Sequence, residues 1–176
     1  SYLDQTAFIP QGLEACNCIQ IQEGRLLGYN TDVTGFRESL RPLLTPEHHT
    51  ALVLGNGGAA SAVIFALQQL GISYKLVSRE LHAGSDLTYR DLDATIIRSH
   101  PLIINTTPLG MYPNEELCPE IPFAAIDKRH LLYDLVYNPA KTVFLQRGEE
   151  QGAAIKNGEE MLLLQAEESW KIWNSI

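Results

Sequence analysis

The sequence predicts an α/β chain built on a doubly wound parallel sheet. Three observations carry that fold class. Runs apolar almost throughout, at 51–54, 102–105 and 131–136, alternate with helical patterns, as strands covered on both faces require. The run at 51–54 passes straight into Gly55-Asn56-Gly57-Gly58-Ala59-Ala60 and a small-residue helix, a G-x-G-x-x-A corner. A length of 176 residues at 45% hydrophobic content suits one globular domain, or a modest domain with pieces of a second.

Taken in order, residues 13–22 read as a strand that Gly24 turns back into 25–29. Thr31 or Asp32 can cap a helix running through Phe36 and Leu40 to the break at Pro42. After a polar connector at 45–50 comes the strand 51–54, then a helix over 59–70 ended by Gly71 as its C′ glycine. Residues 74–77 form a second strand, and 91–98 a short helix with Leu92, Ile96 and Ile97 inward. The apolar strand 102–105 stops at a polar loop, 106–110. A proline-bearing loop at 112–122 precedes the strand 131–136. A helix at 142–152, a strand at 153–156 and a long helix at 159–175, buried by Leu162, Trp170 and Trp173, complete the chain.

A net charge of −8 argues against a general binder of nucleic acid or anionic membrane, so any anion must be held by local geometry. The three cysteines, Cys16, Cys18 and Cys118, make neither a disulfide framework nor a zinc ligand set, which points to a reducing cytoplasm. The histidines His48, His49, His82, His100 and His130 lack metal-ligand spacing and read as surface residues; no metal is expected. No apolar run approaches a membrane span.

The glycine corner is where chemistry enters. Gly55 allows the tight turn, Gly57 lets the backbone approach a pyrophosphate, and Ala60 lets the helix pack close to the strand. The N–H groups of the first helical turn, from Gly58 and Ala59 on, then face the phosphates with the positive end of the helix dipole. A plain strand–helix corner is the alternative. NAD sites usually place a carboxylate at the end of the second strand; here stand Ser78 and Arg79, a hydroxyl and a guanidinium suited to a 2′-phosphate. That favours NADP, although Glu80 acts against it unless it points outward.

Several separated segments resemble the shikimate dehydrogenase family. They are Ala15-Cys16-Asn17-Cys18, then Gly28-Tyr29-Asn30-Thr31-Asp32 followed by Gly35-Phe36, and Gly55 to Ala59 with Ser78-Arg79. Asn105-Thr106-Thr107-Pro108-Leu109-Gly110-Met111 and Tyr133-Asp134-Leu135-Val136-Tyr137-Asn138-Pro139 with Thr142 follow. Asn157-Gly158-x-x-Met161-Leu162 leading to Gln165-Ala166 closes the series. The resemblance implies a Rossmann-like NADP-binding domain with a remnant of an N-terminal α/β substrate domain. It also implies an oxidoreductase interconverting 3-dehydroshikimate and shikimate. Asn17, Asp32, Tyr137 and Gln165 would contact the substrate, Asp32 also orienting a catalytic ammonium. Gly55, Asn56, Gly57, Gly58, Ala59, Ser78 and Arg79 would bind the coenzyme, with Asn105, Thr106, Leu135 and Gly158 near its nicotinamide and ribose. Local roles compete: Asp32 could cap a helix, Asn17 end a strand, Tyr137 pack on Pro139, and Gln165 satisfy backbone carbonyls.

The family's proton-donating lysine would lie upstream of Ser1, and no lysine here sits in a matching context. The expectation is a fragment divided as 1–33 (remnant of the substrate domain), 34–154 (nucleotide domain) and 155–176 (helix packing back). It would bind NADP(H) but catalyse poorly. The strand at 13–22 would be left as an unpaired edge, mobile or open to a second copy. A quinate dehydrogenase and a non-catalytic NADP-binding module are the rival functions.

Overall fold

The computed structural model describes residues 5–8, 13, 15–81 and 84–175, with backbone alone at 5–8. Its centre is a six-stranded, all-parallel sheet. The strands are β4 (Thr50–Leu54), β5 (Ser73–Ser78), β6 (Leu87–Thr88), β7 (Leu102–Asn105), β8 (Leu131–Asp134) and β9 (Ala154–Lys156), ordered β6-β5-β4-β7-β8-β9. A smaller sheet, ordered β1-β3-β2, precedes it: β1 (Gln5–Phe8), β2 (Cys18–Gln22) and β3 (Arg25–Tyr29). β2 and β3 form the expected hairpin, its two-residue turn made by Glu23 and Gly24 at φ 50° and 78°.

Alternation along the buried strands assigns each side chain to a face. Ala51, Val53, Leu102, Ile104, Leu131 and Tyr133 join one core with α1 (Asp32–Leu40), α2 (Gly58–Gln69) and Met161 of α5 (Glu159–Asn174). Leu52, Leu54, Ile103 and Leu132 join the other with Ile97 of α3 (Ala94–Ser99) and Phe144 and Leu145 of α4 (Val143–Glu150). Both faces are thus covered by helices, as the apolar runs foretell. Within the first core Phe36 meets Tyr133 edge-on at 4.9 Å between ring centres. The Tyr133 hydroxyl, 2.7 Å from Ser39 Oγ, is pushed by burial to a pKa of about 12.

Local departures have physical causes. α3 begins at Ala94 rather than 91, because Asp93 caps it by accepting from the Ile96 N–H at 2.8 Å. Residues 89–91 instead form a 3₁₀ turn closed by a reciprocal Thr88–Asp91 capping box, and β6 is a strand too short for periodicity to reveal. The strand expected at 13–22 is extended ladder only from Cys18; residue 14 lies outside the described residues.

His48, His100 and His130 correct the surface reading, since all three are buried and His130 is only 1% exposed. Hydrogen bonds account for it: His48 accepts the Thr45 N–H at 3.0 Å, His100 Nδ1 lies 2.8 Å from the Ile96 carbonyl, and His130 Nε2 lies 3.1 Å from the Ile97 carbonyl. They tie the loops that lead into the sheet. His49 is exposed, and His82 lies outside the described residues. Among the described residues no His, Cys, Asp and Glu cluster fits a metal, and no helix is long and apolar enough to cross a membrane.

α5 corrects a second expectation. Leu162, Trp170 and Trp173 are exposed, Trp170 by 66%, and Met161 and Ser169 are the buried residues of this helix. The helix packs through a narrow seam against α1. A Cβ on Gly35 would lie 2.7 Å from the Met161 carbonyl, so only glycine lets the helices approach this closely.

Candidate functional site

β4 leads through α2 to β5 on one side, whereas β7 lies on its other side, so the order in which strands are added reverses between β4 and β7 although all run parallel. Loops leaving such a pair of strands diverge and open a crevice at their carboxyl ends. Three adjoining cavities of about 360, 340 and 380 Å³ occupy it. The first and second share Thr106, Thr107 and Pro108; the second and third share Ala59, Leu135 and Tyr137. Together they make one groove, with Arg79 at one end and Asp32 and Gln165 at the other. Of the residues expected at the site, all line this groove except Gly58 and Asn105.

The glycine corner forms the middle of the groove. Gly55 adopts φ +105°, and a Cβ there would sit 2.8 Å from Thr106 Oγ1, so the turn and its close neighbour both require glycine. Gly57 and Gly58 differ: a Cβ on either would meet nothing within 4 Å. The protein's own packing therefore places no demand on them. No side-chain hydrogen bond caps the first turn of α2, so its N–H groups lack a side-chain partner there. A backbone cradle of this kind fits a pyrophosphate.

At one end lie Ser78, Arg79 and Tyr89. Arg79 is exposed, but Ser78 is buried, and its hydroxyl donates to the Glu80 carbonyl. Tyr89, from the 3₁₀ turn after β6, lines the same cavity, and sequence reasoning did not find it. Its one sequence signal was the Thr88-x-x-Asp91 box, which fixes a turn at that point. Burial, partly offset by the positive charge of Arg79, raises the Tyr89 phenol to about 12.

Under the second cavity runs a buried polar network. Asp134 accepts from Asn105 Nδ2 at 3.0 Å, the Val136 N–H at 3.0 Å and Thr142 Oγ1 at 2.6 Å. Asn105 Oδ1 in turn accepts from the Thr107 N–H at 3.0 Å and its hydroxyl at 2.7 Å. This corrects Asn105: fully buried, with both ends of its amide engaged, it shapes the 106–109 loop instead of facing the groove. Although three donors aim at Asp134, burial dominates and raises its pKa to about 6. Gly158 lines the third cavity, yet its lack of a side chain also answers an internal need, because a Cβ would lie 2.1 Å from the Leu135 carbonyl.

The far end gathers residues from four places in the chain. Thr31, not Asp32, holds the N-cap position of α1. Its side chain makes no cap, and Asn30 Oδ1 accepts the Val33 N–H at 3.3 Å. Asp32 is thereby released from capping and lines the cavity. Burial raises its pKa, with the Asn17 amide opposing. Asn17 clasps Thr31, accepting its N–H at 2.8 Å and donating to its Oγ1 at 3.0 Å. Thr31 Oγ1 also lies 3.3 Å from Gln165 Oε1, and Gln165 Nε2 donates to the Leu162 carbonyl at 3.0 Å. Tyr137, 49% exposed, spans the second and third cavities. A carboxyl group, two amides and a phenol around one apolar hollow can bind a small polyhydroxylated ring by directional hydrogen bonds.

A shikimate dehydrogenase (NADP⁺) of Methanococcus maripaludis is 36% identical over 99% of this chain and 68% of its own length. This chain belongs to the shikimate dehydrogenase family. The family member from Carboxydothermus hydrogenoformans is 33% identical over 99% of the chain and 68% of its own length. Among solved structures, the shikimate 5-dehydrogenase of Thermus thermophilus in complex with NADP(H) and shikimate superimposes with a TM-score of 0.85. It is 30% identical and is matched over 99% of this chain and 67% of that one. No family model matches the chain. The chain spans about two thirds of the length of these family members.

Proposed function

We propose that this chain binds NADP(H) and contributes part of the substrate site of an oxidoreductase interconverting 3-dehydroshikimate and shikimate. The observation that carries the reading is the single groove running from Arg79, past the open Gly57–Gly58 cradle, to Asp32 and Gln165. Shikimate dehydrogenases named for NADP⁺ among the relatives support it.

Bound coenzyme supplies the hydride acceptor, or in reverse the donor. The residues of this chain bind and orient. The first-turn amides of α2 hold the pyrophosphate, and Arg79 takes the 2′-phosphoryl group. Leu135, Thr106 and Gly158 bound the space for the nicotinamide. Asn17, Tyr137 and Gln165 present hydrogen-bond partners to the ring hydroxyls and carboxylate. Asp32 accepts from a ring hydroxyl and would orient the lysine amine that the family resemblance implies. That amine is the base that takes the hydroxyl proton as hydride passes from the same carbon to the coenzyme.

The division into 1–33, 34–154 and 155–176 belongs to the same reading. It is supported by α5 reaching back to β2, where Gln20 Nε2 donates to the Ile172 carbonyl at 2.6 Å and Trp173 Nε1 to the Ile19 carbonyl at 3.0 Å. β2 is an edge strand among the described residues, with Ile21 74% exposed, which supports self-association through that edge. Sedimentation velocity of the chain and of Ile21→Lys tests it: the larger species should disappear in the variant.

Titration calorimetry tests the main reading. The chain should take up NADPH more tightly than NADH, and Arg79→Ala should weaken NADPH by about tenfold while leaving NADH little changed. No uptake of NADPH would end the proposal.

A further inference from the structure

The cavity at the Arg79 end is short of a donor. A 2′-phosphoryl group presents acceptor oxygens, and one guanidinium does not satisfy them all. Ser78 is the obvious second donor by position, yet its hydroxyl hydrogen goes to the Glu80 carbonyl, and its lone pairs have the wrong sense for a phosphate. Glu80 brings a carboxylate to the same segment. Tyr89 has the opposite problem: its hydroxyl is buried and, among the described residues, is the one buried side-chain polar atom without a hydrogen-bond partner. Leaving such a group unpaired costs on the order of the hydrogen bond it forgoes. Tyr89 and Arg79 line the same cavity.

Resting on the NADP(H) reading above, we infer that Tyr89 is a specificity residue for the phosphorylated coenzyme, its hydroxyl donating to the 2′-phosphoryl group beside Arg79. The 3₁₀ turn holds it there. Thr88 Oγ1 and N–H both bond Asp91 Oδ2 at 2.7 Å, closing the turn from which Tyr89 projects. The electrostatic influence of Arg79 on the phenol agrees with their proximity. The phenol stays protonated at neutral pH, so it approaches a phosphate as a donor without charge repulsion. An NAD site uses an acceptor at this end for the ribose hydroxyl; a protonated tyrosine reverses the sense.

The test titrates the chain and its Tyr89→Phe variant with 2′,5′-ADP and with 5′-AMP, which differ by the phosphoryl group. Tyr89→Phe should weaken 2′,5′-ADP by about tenfold, leave 5′-AMP within about twofold, and melt no lower than the parent, since it deletes an unpaired polar atom. Equal loss for both ligands would place the hydroxyl on the adenine or ribose and overturn the inference. No loss for 2′,5′-ADP would overturn it as well. In either case uptake of 2′,5′-ADP by the unaltered chain leaves the NADP(H) reading standing; failure of the unaltered chain to take up 2′,5′-ADP would bring both down.

Discussion

Two glycines show how differently one residue type can serve a site. A Cβ on Gly57 would enter empty space, whereas a Cβ on Gly158 would lie 2.1 Å from the Leu135 carbonyl. Gly57→Ala should therefore leave the urea midpoint nearly unchanged yet weaken NADPH by tenfold or more in titration, because the added methyl occupies the pyrophosphate cradle. Gly158→Ala should lose about 3 kcal/mol of stability in the same unfolding assay, as backbone must shift to relieve the overlap. Asp134 sets a pH dependence. Its folded pKa, about 6, lies above the ordinary 3.8, so the folded state binds more protons across that interval. Stability from this group is thus greatest below pH 4 and falls as pH rises to about 6, by about 3 kcal/mol. Asp134→Asn keeps a neutral side chain of the same shape. It should flatten the slope measured by urea unfolding between pH 4 and 6; an unchanged slope would remove Asp134 as its source.

At the scale of elements, the α1–α5 seam decides whether the substrate end exists. Gly35 admits α5 close enough for Thr31 Oγ1 to reach Gln165 and Ser169, at 3.3 and 3.1 Å, while Asp32 sits one residue on at the cavity wall. Gly35→Val should push the helices apart, lowering the melting temperature by several degrees. Binding of 2′,5′-ADP should stay within about threefold, because Arg79 and the glycine corner stand on other elements. Parallel loss of both would show that the groove does not tolerate damage at one end independently. The α2 corner is the converse case: its strand, turn and helix start are contiguous in sequence. It is braced by β5 and the loop after β7, where the Gly55 N–H donates to the Val77 carbonyl and Thr106 Oγ1 to the Leu54 carbonyl, not by α1 or α5.

At the scale of the whole molecule, one groove joins Arg79 and the glycine corner to Asp32 and Gln165. Among the described residues no lysine lines the cavity containing Asp32. The 176-residue chain should therefore bind NADPH yet oxidise shikimate at a rate far below that of the longer family members, read as NADPH absorbance at saturating substrate. Robust turnover would mean that Asp32 or Tyr137 suffices as the proton-transfer group. Comparing shikimate with quinate in the same assay separates the two substrate readings.

Sequence by itself determined the doubly wound sheet, the glycine corner and the order of elements, because each is written in contiguous residues: apolar runs, turn glycines such as Gly24 and Gly71, and a helix that starts where the strand ends. It also named nearly every groove residue through short motifs. Tertiary structure alone decided what those side chains do there. Asn105 turned inward because Asp134, far along the chain, meets its amide; Asp32 was freed because Asn30 caps in its place; three histidines were buried because neighbouring backbone N–H and carbonyl groups meet their ring nitrogens. Tyr89 entered the site only when a two-residue strand carried its turn to the sheet edge. Hydrogen-bond satisfaction is a property of three-dimensional neighbours, and local pattern does not contain it.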